Sequence, residues 1–179
     1  MDFRQFPYSN LKIFLARFKI EQSKFEDDYI EWKEKNPNLE FNEFMWQYFQ
    51  ETAIRLAEEA KSASELYTSM RDIYNEMVWY RIRDERKKPD ELLDSKHYYE
   101  LMAAKSSGYK TKVIIIGRPD CKKCSNIQYC INLETELKRR TLPFKNCPMV
   151  KSGRYLACSC CYAFEMIRDK NDLPIKLKQ

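Results

Sequence analysis

Seven cysteines carry the reactive chemistry of this 179-residue chain: Cys121, Cys124, Cys130, Cys147, Cys158, Cys160 and Cys161. All lie in its last third. Cys121 and Cys124 form a C-x2-C pair within DCKKCSNIQYC, Cys158 opens C-x-C-C, and Cys147 stands between the two groups. Thiolates bind metals or exchange disulfides, while neutral thiols only pack. A structural zinc takes four thiolate or imidazole donors in a tetrahedron. Two close in sequence form a knuckle, and a distant segment closes the site. Cys121 and Cys124 supply the first pair; Cys147 and one of Cys158 or Cys160 supply the second. The single histidine, His97, falls in a predicted helix on a face that reads as solvated or half-buried, so an all-cysteine site is favoured. Cys130 and Cys161 are left over. Cys130 is expected to pack as a small hydrophobe, on one face of a helix with Ile127.

The same C-x2-C admits a second chemistry. In KVIIIGRPDCKKCSN a strand and a turn lead into the pair, and this resembles the start of a glutaredoxin or thioredoxin. The resemblance implies a thiol–disulfide oxidoreductase with Cys121 as an exposed nucleophile at a helix amino terminus and Cys124 as the resolving thiol. The helix dipole, Lys122 and Lys123 would favour the thiolate. Against it, Pro148 is the only nearby candidate for a proline facing the pair, with little room for the helix and strand between. The remaining cysteines would also go unused.

Over the last third, GRPDCKKCSN, LPFKNCPM and CSCCYAF together resemble the cysteine tail of phage head-morphogenesis proteins of the Mu minor-capsid type and of related bacterial proteins. The likeness runs through Cys121, Cys124, Leu142-Pro143, Cys147, Cys158, Cys160 and Tyr162. It departs at Asn146, where that family often has His-Pro before the third cysteine. It implies a metal-binding tail, and beyond that a phage-derived structural or accessory protein.

The elements that must position these thiols divide the chain near residue 108. Gly108, Gly117 and Gly153 are its only glycines. A stretch of 107 residues without glycine makes few turns with positive φ, so it reads as helices joined by short connections. Leu11, Leu15, Phe18, Phe25, Tyr29 and Trp32 mark one helical face, starting after Ser9 and ending at Asn36-Pro37. Met45, Tyr48 or Phe49, Thr52 and Leu56 mark a second. Leu66, Met70, Ile73, Met77 and Tyr80 mark a third, with Ser62 and Glu65 as its capping box. A fourth begins after Pro89 and carries Leu92, Leu93 and Leu101. Beyond residue 108, KVIII reads as a strand, RYLACSCCYAF as another after Gly153, and KNDLPIKLKQ as a frayed tail.

Charge divides at the same place. Residues 1–109 carry 17 Lys/Arg against 21 Asp/Glu, a net of −4; residues 110–179 carry 15 against 6, a net of +9. Lys122, Lys123, Lys138, Arg139, Arg140, Lys145, Lys151 and Arg154 surround the cysteines. Such a segment either meets a polyanion, most often nucleic acid, or lies against the acidic helices of its own chain. The run RIRDERKKPDE is dense in both signs; it reads as a helix ending in water, the alternative being a phosphate-backbone contact through Arg81, Arg83, Arg86, Lys87 and Lys88, against which Asp84 and Glu85 weaken the field.

Other chemistries find no footing. There is no glycine-rich phosphate loop, no G-x-S-x-G elbow and no H-E-x-x-H. No apolar run approaches the ~20 residues of a membrane span, and MDFRQFPYSN lacks the build of a signal peptide. A cytoplasmic location is therefore expected, with no membrane partner. The sequence predicts a mainly α chain, α+β overall. A helical bundle spans residues 1–107, and a cysteine-rich, basic, zinc-stabilised β module spans 108–179. The expected function is binding of nucleic acid or a protein partner, with a structural zinc rather than a catalytic one.

Overall fold

A computed structural model describes residues 6–118, 121 and 130–177. Five helices make up the amino-terminal part: α1 (Leu11–Arg17), α2 (Gln22–Lys35), α3 (Phe41–Glu59), α4 (Ala63–Arg83) and α5 (Asp90–Ser106). The first expected helix is two helices. The chain breaks at Lys19, whose φ is +53°, and the Ile20 N–H turns back to the Leu15 carbonyl at 2.9 Å. Phe14 and Phe18 before the break and Phe25 after it face the same core, so the apolar spacing reads straight through. The start of α4 is as expected, with Ser62 Oγ accepting the Glu65 N–H at 3.1 Å. α3 opens with a capping box of Glu40 and Glu43 that the apolar pattern alone did not reveal.

Aromatic rings fill this first core. Phe14 meets Phe49 edge-on at 5.2 Å between centroids, and Phe49 meets Tyr80 at 5.4 Å. Edge-to-face contact places the positive ring edge on the negative face of its neighbour and adds to area burial. A buried carboxylate ties the amino terminus to α4: Glu76 accepts from the Tyr8 hydroxyl at 3.1 Å and pairs with Arg17. Phe49→Ala should therefore destabilise the protein by about 3–5 kcal/mol in chemical denaturation. Ile54→Ala, on an exposed part of α3, should change it by less than about 0.5 kcal/mol.

The carboxy-terminal part contains β1 (Thr111–Ile116), β2 (Cys130–Asn132), α6 (Leu133–Arg139), α7 (Pro148–Lys151) and β3 (Cys161–Met166). The strands form one antiparallel sheet in the order β2-β1-β3, with Ile115 opposite Tyr162 and Val113 opposite Ile131. Val113 and Ile115 point to a second core, shared with Leu101 of α5, Leu133 of α6 and four cysteines. Mainly α structure with a small antiparallel sheet is thus what the sequence predicts. α5 contributes to both cores, with Leu92 and Tyr99 against the aromatic bundle and Leu101 and Ala104 against the sheet.

Three local expectations change. The strand expected from Arg154 starts only at Cys161, because Gly153 turns with φ +74° and the Tyr155 N–H bonds to the Met149 carbonyl at 3.2 Å. Cys130 lies in a strand rather than a helix; Ile127 is outside the described residues. The tail is pinned as far as Leu177, since the Ile175 N–H bonds to the Ile167 carbonyl at 2.9 Å and the Leu177 N–H to the Gly108 carbonyl at 2.8 Å.

Candidate metal centre

The second core brings together cysteines from three separate segments. Cys121 follows β1, Cys147 stands immediately before α7, and Cys158 and Cys160 precede β3. All four are buried, between 3% and 6% exposed, and none forms a disulfide. Cys124, Lys122 and Lys123 lie outside the described residues.

Backbone amides converge on two of the sulfurs. Pro148 at the first position of α7 has no N–H to offer, and the next two, of Met149 and Val150, donate to the Cys147 sulfur. The N–H groups of Cys160 and Phe144 donate to Cys158, which also contacts the thiols of Cys160 and Cys147. These bonds act on protonation. The contact with Cys160 is the largest effect on Cys158. Against the cost of burial, that contact, the two amides and Cys147 pull the Cys158 thiol down to about 5. Burial, reinforced by the neighbouring Cys158, pushes the Cys147 thiol up despite its own two amides. Neighbouring thiols thus favour the thiolate on Cys158 and disfavour it on Cys147.

A buried polar network holds the loop that leads to Cys147. Glu136 of α6 is fully buried and accepts from the Thr141 N–H at 2.6 Å, the Thr141 hydroxyl at 2.9 Å and the Tyr162 hydroxyl at 2.6 Å. The Tyr162 oxygen in turn accepts the Leu142 N–H at 3.0 Å. Burial, and then the Glu136 hydrogen bond, push the Tyr162 phenol far above its usual range, so it remains a donor. Thr141 and Leu142 are fixed just before Phe144, whose amide reaches Cys158.

His97 is not on a solvated face. It is 1% exposed, its ring stands edge-on to Tyr162 at 5.3 Å, and its Nδ1 lies 2.7 Å from Glu100. The period of α5 places Leu93, His97 and Leu101 on one buried face, a pattern the charged neighbours of His97 conceal in the sequence. Cys161 is half-buried and stays outside the thiol cluster, as strand alternation requires beside the inward-facing Tyr162.

The basic residues remain on the surface. Lys138, Arg139 and Arg140 end α6, Lys145 precedes Cys147, Lys151 ends α7 and Arg154 follows Gly153, all of them exposed. Arg140 stacks on Tyr98 at 4.4 Å and lies 3.9 Å from Asp94, so part of the basic segment does meet the acidic helices. Arg154 lies over Tyr155 at 5.7 Å. In the run RIRDERKKPDE, Arg81 covers Trp46 and pairs with Glu85, so this helix end is partly packed rather than wholly in water.

Among the described residues, no group of three or more His, Cys, Asp or Glu side chains that could hold a metal ion is found. Cys121, Cys147, Cys158 and Cys160 are buried thiols from separate segments, and backbone amides are directed at the sulfurs of Cys147 and Cys158. A redox pair is less well served, because a reactive thiol must be reached and Cys121 is buried. Among the described residues no helix is long and apolar enough to cross a membrane. Compared with known protein families, characterised proteins and solved structures, the chain matches none.

Proposed function

We propose that this chain is a binding protein whose carboxy-terminal module is locked by a structural zinc ion and presents a basic surface to nucleic acid. One observation carries the first half: Cys121, Cys147, Cys158 and Cys160 share a single buried core, with amide and thiol donors gathered on Cys158. Zinc would be held by four thiolates drawn from Cys121, Cys124, Cys147, Cys158 and Cys160. It would compensate the negative charge of the thiolates. Four such ligands leave no position for water, so the metal would stabilise rather than catalyse. Cobalt(II) added to metal-free protein should produce the intense sulfur-to-metal absorption of a tetrahedral thiolate site. Silence in that spectrum, with Cys147 and Cys158 remaining open to a thiol reagent, would remove the metal from the account.

The second half rests on charge. The net of +9 over residues 110–179 would remain about +7 after four thiolates and one zinc are counted. Lys138, Arg139, Arg140, Lys145, Lys151 and Arg154 are exposed rather than buried with the thiol core. Binding to a single strand should weaken as salt rises, with a slope of log K against log salt of about −0.7 per phosphate neutralised. A phage-derived accessory role rests on the cysteine pattern alone.

A further inference from the structure

A cleft of about 670 Å3 lies between the start of α5 and the cysteine module, and Cys147 and Cys158 line it. They are 4% and 6% exposed, so only small molecules can come against their sulfurs. Cys121 and Cys160 are buried to the same degree and are not part of that wall. The two cysteines in the wall are also in contact with each other, sulfur to sulfur. They belong to different segments, one immediately before α7 and the other just ahead of β3, and neither is in a disulfide. Cys161 is half-buried and outside the cluster, with no thiol of the cluster against it.

We propose that Cys147 and Cys158 form a modification site for a hydroperoxide, which enters by the cleft and leaves the two sulfurs joined in a disulfide. With hydrogen peroxide the Cys158 sulfur attacks one oxygen and the O–O bond breaks. The other oxygen leaves as water with the thiol proton, and Cys158 becomes a sulfenic acid. The Cys147 sulfur then attacks the Cys158 sulfur, the S–O bond breaks, and the hydroxyl leaves with the Cys147 proton as a second water. The sulfurs lose two electrons and the peroxide gains them. Contact decides the product, because a sulfenic acid with a thiol already against it condenses before it meets more oxidant. Burial decides the oxidant: a folded protein cannot bring its own disulfide onto these sulfurs, which separates this site from an exposed thiol–disulfide exchange pair. The disulfide needs no metal. Its consequence rests on the structural-zinc reading above: it removes two of the thiolates counted for zinc, so the zinc is released and the module loosens.

The test uses the full wild-type chain as purified, treated with hydrogen peroxide, with a chromogenic chelator present to report released zinc. Remaining thiols are then alkylated under denaturing conditions, and the linked peptides are mapped by mass spectrometry. The expected result is the loss of two free thiols per chain, a link between Cys147 and Cys158, and its reversal by dithiothreitol. Zinc should appear in step with the link. Cys161→Ser should give the same link in the same yield. The same peroxide on chain unfolded in urea should give mixed links, which shows that the fold selects the pair. A link between Cys158 and Cys160, or between Cys121 and Cys124, in place of the expected one would overturn the proposal. So would stable sulfinic acid on Cys158 with no link. A chain that contains zinc and keeps Cys147 and Cys158 unlinked would overturn the site and leave the zinc reading standing. The expected link in a chain that contains no zinc would support the site and remove the metal.

Discussion

Cys158→Ser should unfold the carboxy-terminal module and leave the aromatic bundle folded. Cys158 contacts two neighbouring thiols and two backbone amides. Serine keeps the shape, but its hydroxyl does not ionise near neutral pH and is a poor zinc ligand. With the structural zinc proposed above, the loss is on the order of 10 kcal/mol. A three-stranded sheet and two short helices have no equivalent reserve in their own apolar core. The bundle core of Phe14, Phe25, Phe49 and Tyr80 is made without the module's residues, so it should survive. Amide hydrogen exchange separates the two parts. Protection should vanish at Val113, Ile115 and Leu137 and persist at Met45 and Phe49. Cys161→Ser, outside the cluster, should leave both parts protected, and a strong chelator should reproduce the Cys158→Ser pattern on the wild type.

Glu136→Ala should be the most damaging change in the module away from sulfur, at about 3–5 kcal/mol. It removes one acceptor from three donors, the Thr141 amide, the Thr141 hydroxyl and the Tyr162 hydroxyl. Each unsatisfied buried donor costs about 1–3 kcal/mol, and water entering the gap recovers part of the sum. The loop from Thr141 to Phe144 then loses its anchor, and with it the amide aimed at Cys158. Zinc affinity should fall about 10–100-fold, as it does when groups supporting a metal ligand are removed. Glu136→Gln keeps an acceptor and should cost less on both counts. A chelator competition assay alongside thermal unfolding checks both effects. Unchanged zinc affinity in Glu136→Ala would mean that the loop and the thiol cluster are independent.

Much of the architecture is legible in the sequence, because helical periodicity and cap residues act locally. The third apolar series and Ser62 mark α4 to within a turn, and Pro89 marks the start of α5. The break between α1 and α2 is hidden, because Lys19 enters the left-handed region without a glycine or proline to announce it. The cysteine spacing names Cys121, Cys147, Cys158 and Cys160 together, and the fold places these four in one buried core, while Cys124 lies outside the described residues. Glu136 was invisible as a functional residue: it reads as one more surface charge in ETELKRR, and only the fold brings Tyr162 to it across 26 positions.

The most direct test of the central claim is elemental mass spectrometry of protein purified without added metal or chelator, with a thiol count on the same sample. The account predicts one zinc per chain, with four thiols shielded until chelation. Metal-free protein in which Cys121 reacts rapidly with a disulfide would contradict it. The C-x2-C would then be a redox pair, and the buried cluster of Cys147, Cys158 and Cys160 would be packing.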